Sequence, residues 1–273
     1  MQNFVRKNWQ VLTTFGLLIL AYVPVIFWMW DRWFARDSYY SHGILIPFVS
    51  GYLIWQKWAE IKNTPVVPSK RRGSIITLAG ILVYILASLF RVYFVGGFSM
   101  FAVLIGLIMY FYGWQVLRKI WVPVALLLFM FPLPLVIITN ISFRMKMLAA
   151  KIAAVILNHI GIPALREGSM IYMRHAYVVV DDVCSGLRSL ISLLALGAIF
   201  AYISSKTKVK KWILFFSTVP IAVITNVVRV VILASIAEIW GSQYTKGFVH
   251  DTTGFLIFAV AFILLYAVGR LLE

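Results

Sequence analysis

A single thiol, an arginine set within an apolar run and a histidine in a short loop are the residues of this chain whose types can do chemistry together: Cys184, Arg229 and His250. A thiol attacks as its thiolate, and a neighbouring cation or an imidazole able to take its proton supplies that form near neutral pH. In such a set Cys184 would attack a carbonyl. His250 would act as general base and then protonate the leaving amine, while Arg229 would hold the substrate carbonyl or stabilise the developing oxyanion. Each residue also has a plain structural reading. A lone cysteine is more often a small buried hydrophobe, a loop histidine is more often solvated, and an arginine near a helix end snorkels.

The surrounding residues extend the set. Asn226 lies one turn before Arg229, and His42 begins an apolar run, so both are candidates to support it; Asp251 follows His250 directly. Asp181 and Asp182 can orient His250, or can hold zinc with Cys184 and His250, against the simpler reading of a solvated loop face. Ser185 is a rival nucleophile, but no Gly-x-Ser-x-Gly elbow surrounds it. One cysteine excludes an intrachain disulfide and a multi-cysteine metal cluster. No cofactor is expected.

The elements that must position these residues are helices in a bilayer. The chain has 273 residues, 62% of them hydrophobic and only 12% charged, and its mean hydropathy is +0.93, well outside the range of a soluble domain. Apolar runs bounded by charge, Gly or Pro fall at about 11–30, 43–58, 74–90, 94–112, 120–138, 187–203, 212–237 and 254–272. They predict an all-α polytopic protein of about eight transmembrane helices in a single membrane domain over 1–273. The first run follows Arg6 and Lys7 but ends in bulky tryptophans without a small-residue cleavage site, so it reads as a retained anchor. The fifth ends in Phe131-Pro132-Leu133-Pro134, where two prolines should kink or terminate it.

The formal charge of +16 would suggest nucleic acid in a soluble protein, but here it sorts by side of the membrane. With the N-terminus inside, fourteen basic residues against Glu60 and Glu273 face inward, while ten against seven acidic residues face outward, with Arg229 within a helix. That asymmetry predicts both termini in the cytoplasm. Membrane lipids, not nucleic acid, are the expected partners. Arg229 lies about 18 residues into its run, roughly 27 Å of rise, at the depth of the outer boundary and thus level with Cys184 and His250.

The stretch 139–186 is then an outer-face insertion. Its first half carries Arg144, Lys146 and Lys151 and predicts an interfacial amphipathic helix, with a core-packing helix as the alternative. Its second half mixes Gly and Pro with β-branched and aromatic residues and predicts a small β-hairpin leading to Asp181. His159 and His175 read as ordinary interfacial residues.

Three segments carry a specific resemblance: Val183-Cys184-Ser185-Gly186-Leu187-Arg188-Ser189-Leu190, Thr225-Asn226-Val227-Val228-Arg229-Val230, and Gly247-Phe248-Val249-His250-Asp251-Thr252-Thr253-Gly254-Phe255. They resemble the three motifs of the exosortase/archaeosortase family, and Tyr39-Tyr40-Ser41-His42-Gly43-Ile44-Leu45-Ile46-Pro47 is similar to the segment opening the second helix of bacterial exosortases. The resemblance implies a cysteine transpeptidase or protease of the bacterial inner membrane. Its substrates would be secreted proteins with a C-terminal sorting signal, comprising a Pro-Glu-Pro type motif (PEP-CTERM), a transmembrane helix and a basic tail.

It also implies Cys184 as nucleophile, His250 as acid/base and Arg229 as third catalytic residue, with the acceptor amine unknown. An acidic recognition motif would favour Arg166, Arg174 and Arg188, of which Arg188 lies within a matched motif. The alternatives are a non-catalytic scaffold or export component, and a zinc-dependent intramembrane hydrolase.

Overall fold

An apolar run in lipid must satisfy its backbone groups internally, and helix does this. The computed structural model describes residues 2–36, 38–204, 206–245 and 247–272, which form eleven α-helices and one three-stranded sheet. The chain divides into two compact units, Met1–Leu133 and Pro134–Glu273.

In the first unit, α1 (Gln2–Ala21) and α2 (Val23–Phe34) meet at 60°, with Pro24 in the opening turn of α2. A turn at Ser41–Ile44 precedes α3 (Leu45–Gln56), followed by α4 (Trp58–Lys62), α5 (Lys70–Leu89), α6 (Tyr93–Phe111) and α7 (Gly113–Leu126). Helices α5 and α6 pack with their backbones nearly touching: a Cβ on Gly73 would lie 2.5 Å from the Tyr110 nitrogen. Small residues permit this approach. A 3-10 turn continues α7 to Met130. Phe131, forced out of helical geometry by the following proline, is extended, so the two prolines end the helix as expected.

The second unit contains α8 (Leu135–His159), β1 (Leu165–Glu167), β2 (Met170–Tyr172), β3 (Tyr177–Val179), α9 (Leu187–Ile203), α10 (Lys208–Trp240) and α11 (Phe248–Leu271). The alanine-rich face of α8, Ala149, Ala150, Ala153 and Ala154, packs with Ile171 and Val180 of the sheet region and with Val227, Val230, Leu233 and Ala234 of α10. A second core joins Leu193, Leu214, Ala222, Ala261 and Leu265 of α9, α10 and α11.

Three expectations change. Among the described residues five helices are long and apolar enough to cross a membrane, or six if α1 and α2 count as one bent span, against the eight expected. The runs at 43–58 and 187–203 yield helices of only 12 and 17 residues, and the fifth run stops near Met130 instead of residue 138. The expected interfacial helix, α8, begins already at Leu135 and packs its alanine stripe into a core; Arg144 and Lys151 stay exposed, while Lys146, one turn before Ala149 and Ala150, turns in to Asp182. The expected hairpin has a third strand, in the antiparallel order β1-β2-β3. Exposed apolar side chains such as Leu78 and Leu82 on α5 and Phe255 and Ile263 on α11 suit a lipid surround.

Candidate active site

Strand β3 delivers the chain to Asp181, and a 3-10 turn, Asp182–Cys184, presents the thiol. The turn is internally tied: the Cys184 amide donates to the Asp181 carbonyl at 2.9 Å, and the Ser185 hydroxyl donates to the Asp182 carbonyl at 2.7 Å. Ser185 also accepts from the Leu187 amide at 3.3 Å and is 0% exposed. Its hydroxyl is thus held in the turn, unlike that of a rival nucleophile.

Gly186 then reverses the chain with φ +79°, a left-handed geometry that glycine adopts without penalty. A Cβ there would lie 2.5 Å from Asn226 Cγ. Helix α9 starts immediately after, so its N-terminal dipole faces the Cys184 turn.

One stripe of α10 contacts the rest of the site. Asn226, Arg229 and Leu233 recur at helical spacing and all are buried. The Asn226 side-chain amide donates to the Cys184 carbonyl at 3.1 Å, and Arg229 Nη2 donates to the His250 carbonyl at 3.0 Å. Arg229 Nε is buried and has no hydrogen-bond partner among the described residues.

His250 lies in the first turn of α11 rather than in the loop before it. Cys184 Sγ is 3.6 Å from both Nδ1 and Nε2 of its ring, so either nitrogen can take the thiol proton after a small ring rotation. One turn on, a Cβ at Gly254 would come within 3.0 Å of Arg229 Nη2; glycine there lets α11 close on the guanidinium.

Burial pushes the Cys184 thiol above its ordinary pKa, and the Arg229 guanidinium opposes that shift while the Asp181 carboxylate reinforces it. Arg188, in the first turn of α9, and Asp251 place their charges on both Arg229 and His250. Asp182 points elsewhere: its carboxylate accepts from Lys146 Nζ at 2.9 Å and from Ser142 Oγ at 3.2 Å on α8. Lys146 holds it below the usual carboxylate range. Among the described residues no group of three or more His, Cys, Asp or Glu side chains converges as a metal set.

A cavity of about 240 Å³ opens beside the thiol, lined by Tyr177, Val178 and Val179 of β3, and by Asp181, Cys184, Leu233, Ser242, Thr245 and His250. Arg166 and Arg174 do not line it. Arg166 instead donates to the Gly168 carbonyl at 3.1 Å within the first hairpin, and Arg174 is exposed between β2 and β3. His175 is more than an interfacial residue: its amide and its Nδ1 each lie 2.9 Å from the Glu238 carboxylate, tying the sheet to the end of α10. His42 belongs to the first unit, where its ring stacks on Tyr40 at 6.1 Å.

Sequence reasoning missed the support from Lys146 and Ser142, the Glu238 tie, the Ser242–Thr245 turn and Leu233 at the cavity. Only Leu233 had a signal, its spacing of four residues from Arg229 on the same helix.

The family model described as transmembrane exosortase matches residues 28–267, a stretch containing every residue of the site. No curated protein and no solved structure matches the chain.

Proposed function

This chain belongs to the transmembrane exosortase family, and we propose that it is a membrane-embedded cysteine transpeptidase or peptidase that cleaves the C-terminal sorting signal of secreted proteins. The signal would be a Pro-Glu-Pro type motif, a transmembrane helix and a basic tail. The observation that carries this reading is the approach of Cys184 Sγ to the His250 ring at 3.6 Å, with Arg229 anchored on the carbonyl of the same histidine.

In this reading His250 takes the thiol proton and Cys184 attacks the scissile carbonyl. The charge that develops on the carbonyl oxygen is met by the Arg229 guanidinium, whose positive charge already acts on Cys184. His250 then protonates the leaving amine, and a thioester remains on Cys184. An acceptor amine or water resolves it and restores the thiol.

The charge asymmetry of the sequence supports cytoplasmic termini and a site on the outer face of the inner membrane, level with the scissile region of a substrate whose basic tail is inside. Helices α3 and α9 would bring the spans to eight if they cross with their flanking turns, and the family match across both units supports one functional domain.

Intact-mass analysis of the purified protein incubated with a sorting-signal substrate tests the reaction. A substrate adduct on wild type that is absent from Cys184→Ala is expected. Normal processing by Cys184→Ala would refute the enzyme reading. Sidedness is checked with a membrane-impermeant maleimide on intact cells, and labelling of Cys184 only from the cytoplasm would reverse the topology.

A further inference from the structure

The cavity beside Cys184 is rich in hydrogen-bond acceptors. Two hydroxyls line it with their protons already committed: Ser242 Oγ donates to the Tyr177 carbonyl at 2.8 Å, and Thr245 Oγ1 donates to the Ser242 carbonyl at 2.8 Å. Each oxygen keeps lone pairs to offer. Asp181, when ionised, only accepts.

Strand β3 forms the wall beside these groups. Val180 donates to Ser169 and Ala176 accepts from Met173, both at 2.9 Å, so the even-numbered residues turn their backbone toward β2. Tyr177 and Val179 therefore direct theirs to the open edge, where both carbonyls are already taken, that of Tyr177 by Ser242 Oγ and that of Val179 by the Asp181 amide at 3.1 Å. The strand thus walls the cavity, and the acceptors left for a ligand are the two hydroxyls and the Asp181 carboxylate. Among the described lining residues His250 is the one basic group, and Val178, Val179 and Leu233 supply an apolar wall. A pocket with acceptors, one carboxylate and an aliphatic wall suits a cation on a short carbon stem.

We propose that this cavity is the acceptor subsite of the reaction and that it takes a cationic primary amine, held by Asp181 next to the thioester on Cys184. The inference rests on the thioacyl reading above. The amine arrives as an ammonium and loses one proton to water. Its nitrogen attacks the thioester carbonyl, the C–N bond forms and the C–S bond breaks. The second nitrogen proton passes to the His250 imidazole and from there to the departing Cys184 sulfur, so thiol and neutral imidazole are both regenerated. The chemistry asked of the ligand is shared by soluble amines and by aminophospholipid headgroups.

The test uses the full chain with a sorting-signal substrate and two competing acceptors, 1,3-diaminopropane, which carries an ammonium, and hydroxylamine, which is largely neutral. Mass spectrometry reads the ratio of diamine product to hydroxamate within each variant. Asp181→Asn is expected to lower that ratio about tenfold, with the loss of one nearby opposite charge, and Asp181→Glu to keep it. A parallel arm replaces the diamine with phosphatidylethanolamine in nanodiscs, and the arm whose transfer depends on Asp181 identifies the source.

Should Asp181→Asn fail to fold, wild type alone decides. Tetramethylammonium, which cannot attack, is then expected to suppress diamine transfer and spare hydroxamate formation. An adduct on Cys184 with the ratio unchanged in Asp181→Asn, or with no effect of tetramethylammonium, overturns the subsite alone. Absence of any adduct on wild-type Cys184 overturns the thioacyl reading, and the subsite with it.

Discussion

The side-chain amide of Asn226 donates to the backbone carbonyl of Cys184 over 3.1 Å, so the helix that carries Arg229 also holds the peptide unit of the thiol. Both partners are buried. Asn226→Ala leaves that carbonyl without its donor, and a loss of about 1–3 kcal/mol is expected. Asn226→Asp should be worse, since an ionised carboxylate would face a carbonyl. Thermal unfolding of the purified variants reads both effects; equal melting temperatures for wild type and Asn226→Ala would show that the bond contributes nothing.

Gly186 is the counterpart of that contact. Alanine at φ +79° costs about 1–2 kcal/mol in backbone strain, and its Cβ would press on Asn226. Gly186→Ala should therefore be strongly destabilised, and Asn226→Ser should recover part of the loss by vacating the space. A double-mutant cycle measures the coupling, and strict additivity would contradict the contact.

The thiol responds to pH in a defined direction. Burial raises the pKa of Cys184 while Arg229 lowers it, and only the thiolate is alkylated. Iodoacetamide should thus react with Cys184 more slowly at pH 7 than with an ordinary exposed thiol, accelerating at higher pH than usual. Arg229→Ala removes the lowering charge, which moves the midpoint further up and slows the reaction at pH 7. Asp181→Asn removes a raising charge and should shift the midpoint the other way. A rate–pH profile for the three proteins checks all three signs.

Asp182 anchors the Cys184 turn to α8 through Lys146 and Ser142. Its pKa is depressed in the folded protein, so the stabilisation is present above the unfolded carboxylate value of about 4 and is lost as pH falls through the lower folded value. Asp182→Asn should lower the melting temperature at pH 7, with the gap to wild type closing in acid. Lys146→Arg should retain more stability than Lys146→Met. A gap that widens on acidification would contradict the pairing.

Gly254 sets the distance between α11 and Arg229, since a Cβ there would come within 3.0 Å of Nη2. Gly254→Val is expected to displace the guanidinium from the His250 carbonyl and to reduce substrate cleavage by about 100-fold, an effect of the size seen for lost oxyanion donors. Gly254→Ala should be milder, because the far end of an arginine can move by a few tenths of an ångström. Cleavage assays on both, with expression levels matched, decide it.

Hydropathy, charge and proline are local properties, and they were enough to make the helical class and the break at Phe131-Pro132-Leu133-Pro134 legible, along with Cys184, Asn226, Arg229 and His250 as the residues to watch. A helix's run is a sum over neighbours, so its type survives without knowledge of the rest. The fate of α8 did not follow in this way. Its alanines and its three cations supported a helix on lipid and a helix in a core equally well, and only the partner face on α10 separated the two.

The same holds for polar groups. Asp182 as a solvated carboxylate and Asp182 bound to Lys146 have one and the same local sequence, with the partner 36 residues away, and the His175–Glu238 pair spans 63. Hydrogen bonds require a donor and an acceptor within about 3 Å, a condition set by the path of the whole chain. Residue type and order thus nominated Cys184 and its companions. The tertiary structure decided that Asn226 holds its carbonyl, that Arg229 reaches the site through the backbone of His250, and that an acceptor-lined cavity lies beside the sulfur.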